Sequence, residues 1–345
     1  MSVTAAQLAA LAQGAHSDEA AAFESRIADE AAGRADERMA EALASAAALW
    51  VTTFGDLDAR GSGSALADLL RAVAERVQRA LSGLGRRSRR ILAAAIPEAL
   101  ALGVRQAQDF ARRASGHRVH AATGSGAGPL ERTLDAARGL PRMVREQLDR
   151  ALRLLTPEVV DGRTFAAVAA GMGAARSAIS RVRGTVAWAV HDALNTGIGY
   201  VARALRLRRV WVAEFNACVR CQAYAGESVT LRGTFKGGQS WDPAQRHAPA
   251  APVDAPPLHI RCRCRTALWS ERWPVRGESL PDLLTRQARE AVGRGWSLPS
   301  ESGAARLRAA RALLTSGEQL PPGVASAARR ALREGRFPYR TAAAI

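Results

Sequence analysis

The chain is poor in lysine and in aromatic side chains, and outside one stretch it has no cysteine. Lys236 is the single lysine among 49 basic residues, a skew that follows from an arginine-biased coding composition rather than from guanidinium chemistry. Aromatics make up 5% of the 345 residues, against 48% apolar residues in total. A sizeable core is therefore possible, with alanine contributing much of it. No uninterrupted apolar run reaches the roughly 20 residues that a spanning helix needs; Ile91 to Val104, the best candidate, is interrupted by Pro97 and Glu98. The N-terminus shows no basic flank followed by an apolar run, so no signal peptide is expected. These absences predict a soluble, intracellular protein with no membrane partner. No phosphate-binding glycine motif, HExxH, GxSxG or paired-carboxylate pattern occurs. His191-Asp192 has no nucleophile spaced to suit it, and His117, His120 and His247 fall in linker or loop composition. The expectation is a protein without catalysis and without a small-molecule substrate.

Charge is plentiful and unevenly placed. Residues 1–60 hold ten acids against four bases, whereas residues 61–345 carry a net +23, giving +17 overall. A chain this basic attracts polyanions, of which nucleic acid is the commonest in a cell. The acidic first segment suits a protein partner better.

Apolar spacing predicts helices over most of the chain. One runs from Ala20 to Trp50, with Met39, Leu43, Ala46 and Trp50 sharing a face. A second spans Ala65 to Leu84 behind the stripe Leu66, Leu69, Leu70, Val73, Val77 and Leu81. The Arg86–Arg90 cluster precedes a third, Ile91 to Arg113. Gly116 to Gly128 has linker composition. Thr156-Pro157-Glu158 has the form of a helix start. The clearest helix runs from Ile179 to Leu205, with Val182, Val186, Val190, Leu194, Ile198 and Val201 on one stripe. The period then shortens to that of strands at Arg209–Phe215, Glu227–Leu231 and Thr266–Trp269. Between the last two lies a long proline- and glycine-bearing loop, Arg232 to Pro257, of the kind that is functional or disordered. Short helices are expected at Pro281–Val292, Ala304–Leu314 and Val324–Glu334.

All four cysteines fall between Cys218 and Cys264. Cys218-x2-Cys221 opens that stretch and His259-x2-Cys262-x-Cys264 closes it. In a reducing compartment such cysteines are metal ligands rather than disulfides. A Cys-x2-Cys turn aims two sulfurs at one point, and the i, i+2 pair Cys262 and Cys264 shares one face of an extended segment. Five donors thus compete for a tetrahedral Zn2+: either the four cysteines bind with His259 behind them, or His259 replaces one. A closed shell leaves no open position for water, which predicts a structural ion. Trp211, Trp241, Trp269 and Trp273 are expected to gather around the ligands. Arg261, Arg263 and Arg265 alternate with the cysteines and would point the other way, as a row able to contact nucleic-acid phosphate.

A Trp211-bearing strand, the Cys218/Cys221 pair, Gly226-Glu227 and then Pro256-Pro257-Leu258-His259-x2-Cys262-Arg263-Cys264 together resemble the phage head morphogenesis family, the Mu F-like minor capsid proteins. The resemblance covers roughly residues 130–270. Two features depart from the family pattern: Ile260 stands in place of the usual proline, and Gly184-Thr185-Val186 keeps only the threonine of an upstream Arg-Thr-Glu. Glu214 matches the acidic residue before the cysteine pair. The resemblance implies a minor head protein of a phage or prophage that acts in capsid assembly. It also implies association with portal and capsid or scaffold proteins and with packaged DNA, inside the virion. A zinc-containing DNA-binding regulator, or an effector or toxin carrying a Mu F-like module, are the alternatives. The expected architecture is mainly α (α+β), in four parts. They are a helical N-terminal region (1–115), a linker (116–128), a helical core with a zinc-stabilised β module (129–270, the module at 209–270), and a basic helical tail (271–345).

Overall fold

Alanine-rich turns with apolar side chains every three or four residues fold as helices, and the β-branched segments beside the cysteines fold as a small sheet. The computed structural model describes residues 3–117, 119, 130–246 and 250–338. Helix α1 (Ala5–Ala10) runs through a π turn (Leu11–Ala15) into α2 (His16–Ala32), and α3 is Ala35–Phe54. Next come α4 (Gly63–Leu81), α5 (Leu84–Ser115), α6 (Glu131–Leu154), α7 (Pro157–Val160) and α8 (Phe165–Ala204). The sheet strands are β1 (Arg208–Val212), β2 (Ser228–Val229) and β3 (Arg265–Trp269), with a short α9 (Val219–Gln222) between the first two. Helices α10 (Leu280–Arg294), α11 (Gly303–Thr315) and α12 (Val324–Glu334) follow. The fold is mainly α with one three-stranded antiparallel sheet, as expected. No helix among the described residues is long and apolar enough to cross a membrane.

Two compact units interleave along the chain, where composition suggested consecutive segments. One comprises Met1–Phe23, Pro97–Leu130 and His191–Ile345; the other comprises Glu24–Ile96 and Glu131–Val190. Residues 118 and 120–128 of the expected linker lie outside the described residues, as do His120 and His247.

In the Glu24–Ile96/Glu131–Val190 unit, the α4 stripe is buried throughout, from Leu66 to Leu81. Trp50 is fully buried against Phe54 and Phe165, at ring distances of 4.8 and 5.9 Å. The expected α2–α3 run breaks at Gly33, which takes a φ of +53°. The buried face of α3 passes through Met39, Ala42, Ala46 and Trp50, leaving Leu43 37% exposed. Four-residue steps from Met39 and Ala42 reach Leu43 and Ala46, and the alanine side is the one that lets α4 approach. The Arg86–Arg90 cluster lies inside α5 rather than before it. Arg183 of α8 reaches Asp29 at 3.0 Å and also pairs with Asp36.

In the other unit, β1 is central. It pairs with β2 at Val210↔Ser228 and with β3 from Arg208↔Trp269 to Val212↔Arg265. Both faces of β3 are covered. The sheet shares a core with the C-terminal half of α5, the end of α8 and the start of α10, through Phe110, Ile198, Val210, Leu268 and Leu284. Of the tail helices, α10 joins this core, while α11 and α12 pack on Val219 and Val292 through Ala309, Leu313 and Val324. Within the same unit α5 and α8 approach to backbone contact. A Cβ on Gly103 would stand 2.0 Å from the Leu194 carbonyl oxygen, and one on Gly197 would stand 2.3 Å from that of Leu100.

The loop from Arg232 to Pro257 is structured over its described residues. Phe235 and Val253 exchange backbone hydrogen bonds at 2.7 and 2.9 Å. Buried Arg209 donates to the carbonyls of Asp254 and Gly233, at 2.8 and 2.9 Å, and Asp242 accepts two bonds from Arg308 at 2.8 and 2.7 Å.

Replacing glycine by alanine ordinarily raises helix propensity by about 1 kcal/mol. At Gly103 and Gly197 the sign is expected to invert. Gly103→Ala or Gly197→Ala should destabilise the protein by about 2 kcal/mol, from overpacking against backbone, measurable as a lowered urea midpoint. Gly139→Ala, where nothing lies within 4 Å, serves as the control.

Candidate metal centre

Antiparallel pairing places the residues after β1 and those before β3 at one end of the sheet. Val212 faces Arg265 in the ladder, so the chain leading to Cys218 and the chain arriving from Cys264 begin side by side. Cys218 is extended at the start of α9, whose first turn closes with Gln222 N–H on the Cys218 carbonyl at 3.0 Å. The opposite knuckle closes with Cys262 N–H on the His259 carbonyl at 3.0 Å, and Arg261 takes a left-handed φ of +69° to allow it. Gly226, with φ +82°, lets the chain turn against α10, because a Cβ there would lie 2.1 Å from the Thr285 hydroxyl.

The five expected donors converge. His259 Nε2 lies 3.1 Å from Cys218 Sγ and 3.4 Å from Cys221 Sγ, and the Cys221 and Cys262 sulfurs are 3.6 Å apart. Donor atoms of Cys218, Cys221 and His259 form one triad and those of Cys221, Cys262 and Cys264 another, each mutually within 4.8 Å. All four cysteines are free and buried. Sulfur ligands of a tetrahedral ion stand about 3.8 Å apart, from metal–sulfur bonds of about 2.3 Å. The cluster can therefore hold a metal ion.

Electrostatics support the same conclusion. A hydrogen bond from Cys221, and then the His259 imidazole, hold the Cys218 thiol well below its ordinary range. Hydrogen bonds from Cys221 and Cys264 do the same for Cys262. Cys221 is pushed well above the ordinary range by the neighbouring sulfurs and by burial. The hydrogen bond to Cys218 lifts His259 to about 9. Four buried sulfurs cannot all ionise together unless a cation joins them.

Hydrogen bonds from outside the cluster fix its orientation. His259 Nδ1 is 2.8 Å from the Ile260 carbonyl; donating there leaves the Nε2 lone pair facing the sulfurs. From α8, His191 Nε2 donates to the Cys264 carbonyl at 2.7 Å, and Asn195 Oδ1 accepts from Thr266 N–H at 2.9 Å. Spacing in the sequence offered His191 no catalytic partner and no link to the cysteines. The signal that ties it to the knuckle is a polar pair four residues apart, His191 and Asn195, beside the apolar stripe of α8.

Two expectations are corrected. Trp211 does share the cysteine cluster, stacked on Tyr224 at 4.7 Å and edge-on to Phe235 at 5.0 Å. Trp269 and Trp273 instead belong to the core beneath the sheet, and Trp241 packs on Val219, Val292 and Leu313. Of the arginine row, Arg261 and Arg263 are exposed, but Arg265 is 3% exposed. It begins β3, whose two faces are covered, so its guanidinium turns inward to Gln106 Oε1 and the His16 carbonyl, both at 2.9 Å. Arg265 therefore cannot reach phosphate.

No family model, no curated protein and no solved structure matches the chain. What the centre can do is read from its own atoms.

The buried Arg265 network has a pH signature. His16 is held below its ordinary value of 6.5 by burial and then by the Arg265 charge, which together outweigh Asp109 at 3.2 Å. A folded-state value below the unfolded one means that the unfolded chain binds the proton first. The contribution of neutral His16 is thus complete above about pH 6.5 and is lost as pH falls below it. Urea midpoints should decline from about pH 6.5 to 5, and His16→Gln should flatten that decline.

Proposed function

We propose that the chain is a minor head protein of a phage or prophage, acting in head morphogenesis and capsid assembly. In this reading a structural Zn2+ locks its cysteine–histidine module, and its basic surface meets packaged DNA. The observation that carries the reading is the meeting of Cys218-x2-Cys221 and His259-x2-Cys262-x-Cys264 at one end of a sheet that begins with a Trp211-bearing strand. Both halves of the Mu F-like pattern, with Gly226 between them at a turn that requires glycine, then belong to one folded unit.

Zinc suits the donor set because thiolates and imidazole are soft and borderline ligands, which Mg2+ and Ca2+ avoid. Cys218, Cys221 and His259 form one close donor group and Cys221, Cys262 and Cys264 another; Cys221 belongs to both, and either the four cysteines bind or His259 replaces one. A shell closed by four protein ligands leaves no place for an attacking water. The ion's role is to hold the two cysteine turns together. Such sites contribute about 10 kcal/mol or more to folding.

The function in the virion rests on charge and exposure. Residues 61–345 carry +23, and Arg261 and Arg263 stand exposed beside the knuckle. The acidic segment 1–60 offers a protein-binding surface of opposite sign, suited to portal or capsid partners. A regulator reading a base sequence would need a recognition helix at the metal, and α9, with four residues, is too short to serve as one.

Purified protein should contain one zinc per chain, and a strong chelator should lower its melting temperature by more than ten degrees or so. Loss of metal in His259→Ala with retention in Cys264→Ser would make His259 the fourth ligand, and the reverse result would make it Cys264. Metal-free protein that melts like the loaded form would refute the structural role.

Co-expression with the portal and major capsid proteins should recover the chain in procapsids. Its DNA affinity should fall steeply with salt, and Arg261→Ala with Arg263→Ala should reduce the slope of log K against log salt by about 2. A chain that enters no particle and binds no DNA at low salt would overturn the phage reading.

A further inference from the structure

The long loop between the two cysteine turns carries an open concavity. The turn from Lys236 to Trp241, together with Ala223 and Arg246, lines about 410 Å3, enough for a mononucleotide. The turn is held in place from several sides. Lys236 N–H donates to Glu227 Oε1 at 3.3 Å, Gln239 N–H to the Tyr224 hydroxyl at 3.4 Å, and Trp241 N–H to the Val219 carbonyl at 3.1 Å. Its glycines are required by contact and by conformation. A Cβ on Gly237 would meet the Ala251 carbonyl at 2.0 Å, and Gly238 has a φ of +73°. Such a turn offers backbone amides with no side chain in the way.

Of the acids near the turn, Asp242 feels the Arg246 charge but is bonded through both oxygens by Arg308. Glu227 is the acid that touches the turn, and both of its oxygens are engaged: Oε1 by Lys236 N–H and Oε2 by the Gln239 amide at 2.5 Å. Arg246 donates through Nε to the Ser240 carbonyl at 2.8 Å. Among the described residues neither the Lys236 ammonium nor the terminal nitrogens of Arg246 have a carboxylate partner. Lys236, the single lysine of the chain, stands on this turn. Two cations and a glycine turn suit a dianionic phosphate. The half-buried Trp241 indole on the same wall suits a planar base stacked beside it.

We propose that this concavity binds a nucleotide phosphomonoester, with the phosphate on Lys236, Arg246 and the Gly237–Gly238 amides and the base against Trp241. The source is either a free mononucleotide or the 5′-phosphorylated end of a strand. The site does not depend on the phage reading, nor on the metal's identity.

The test uses the full-length, metal-loaded protein in calorimetric titrations at a few hundred millimolar salt, where diffuse attraction to backbone phosphates is screened. The probes are adenosine 5′-monophosphate and a short oligothymidylate with and without a 5′-phosphate. Saturable binding of the monophosphate identifies a free nucleotide. Binding of the phosphorylated strand alone identifies a strand end. In either case Lys236→Ala and Arg246→Ala should weaken binding by about tenfold or more, with metal content unchanged to show that the fold is intact. The proposal is overturned by the absence of saturable binding to either phosphorylated probe. Equal binding of the 5′-hydroxyl strand, or variants that bind like the parent chain, would overturn it as well.

Discussion

Five backbone pairings between β1 and β3, from Arg208↔Trp269 to Val212↔Arg265, determine what the rest of this unit can be. A Cys-x2-Cys turn and a His-x2-Cys-x-Cys turn separated by a long loop meet only if something aligns their flanks. The ladder does so by putting position 213 beside position 264, after which each knuckle needs only a few residues of local geometry. The alignment is reinforced from α8, where His191 and Asn195 hold the Cys264 carbonyl and the Thr266 amide. Burial then raises the electrostatic stakes. Sulfurs 3.6 Å apart in a shell of Trp211, Tyr224 and Phe235 are poor company for one another without a cation, because the surroundings cannot screen their charge.

Much of this was legible in the residues, for identifiable reasons. Long helices carry their apolar stripe openly, so the α4 and α8 faces and the three tail helices are close to where spacing put them. The three strands fell where β-branched residues replace the helical period, and the five metal donors are brought together as their spacing implied. What spacing could not supply was partition in space. Nothing local in Arg265 distinguishes it from Arg261 and Arg263; the difference is that β3 is covered on both faces, and that depends on His16 and Gln106, far away in sequence. The tryptophans failed for a similar reason. Closeness in sequence to the cysteines put Trp269 and Trp273 near the ligands, but both pack into the core that the sheet shares with α5, α8 and α10. The choice between Leu43 and Ala42 on α3 turned on how closely α4 approaches, which a single helix cannot report.

Arginine, so abundant here, divides into three physical roles. Some guanidiniums are internal connectors: Arg209 joins the loop at Gly233 and Asp254, Arg265 ties β3 to α2 and α5, and buried Arg306 donates to the Gly295 carbonyl at 2.6 Å. Others make exposed pairs along one helix, such as Arg71 with Asp68 and Arg142 with Glu146, which contribute little to stability in water. Others again, Arg261 and Arg263 among them, stand exposed on the surface. Net charge alone would have merged the three.

The interleaving of the two units bears on synthesis. Glu24–Ile96 and Glu131–Val190 are all translated before His191, so that unit can complete its contacts while the remaining chain is still being made. The unit with the cysteines cannot, because Met1–Phe23 and Pro97–Leu130 must wait for His191–Ile345. Its earliest segment stays without its final neighbours for nearly the whole of translation, and closing such distant segments is slow. The opening helices must therefore stay without their core until the end of the unit emerges, carrying only Asp18 and Glu19 as full charges over Met1–Phe23.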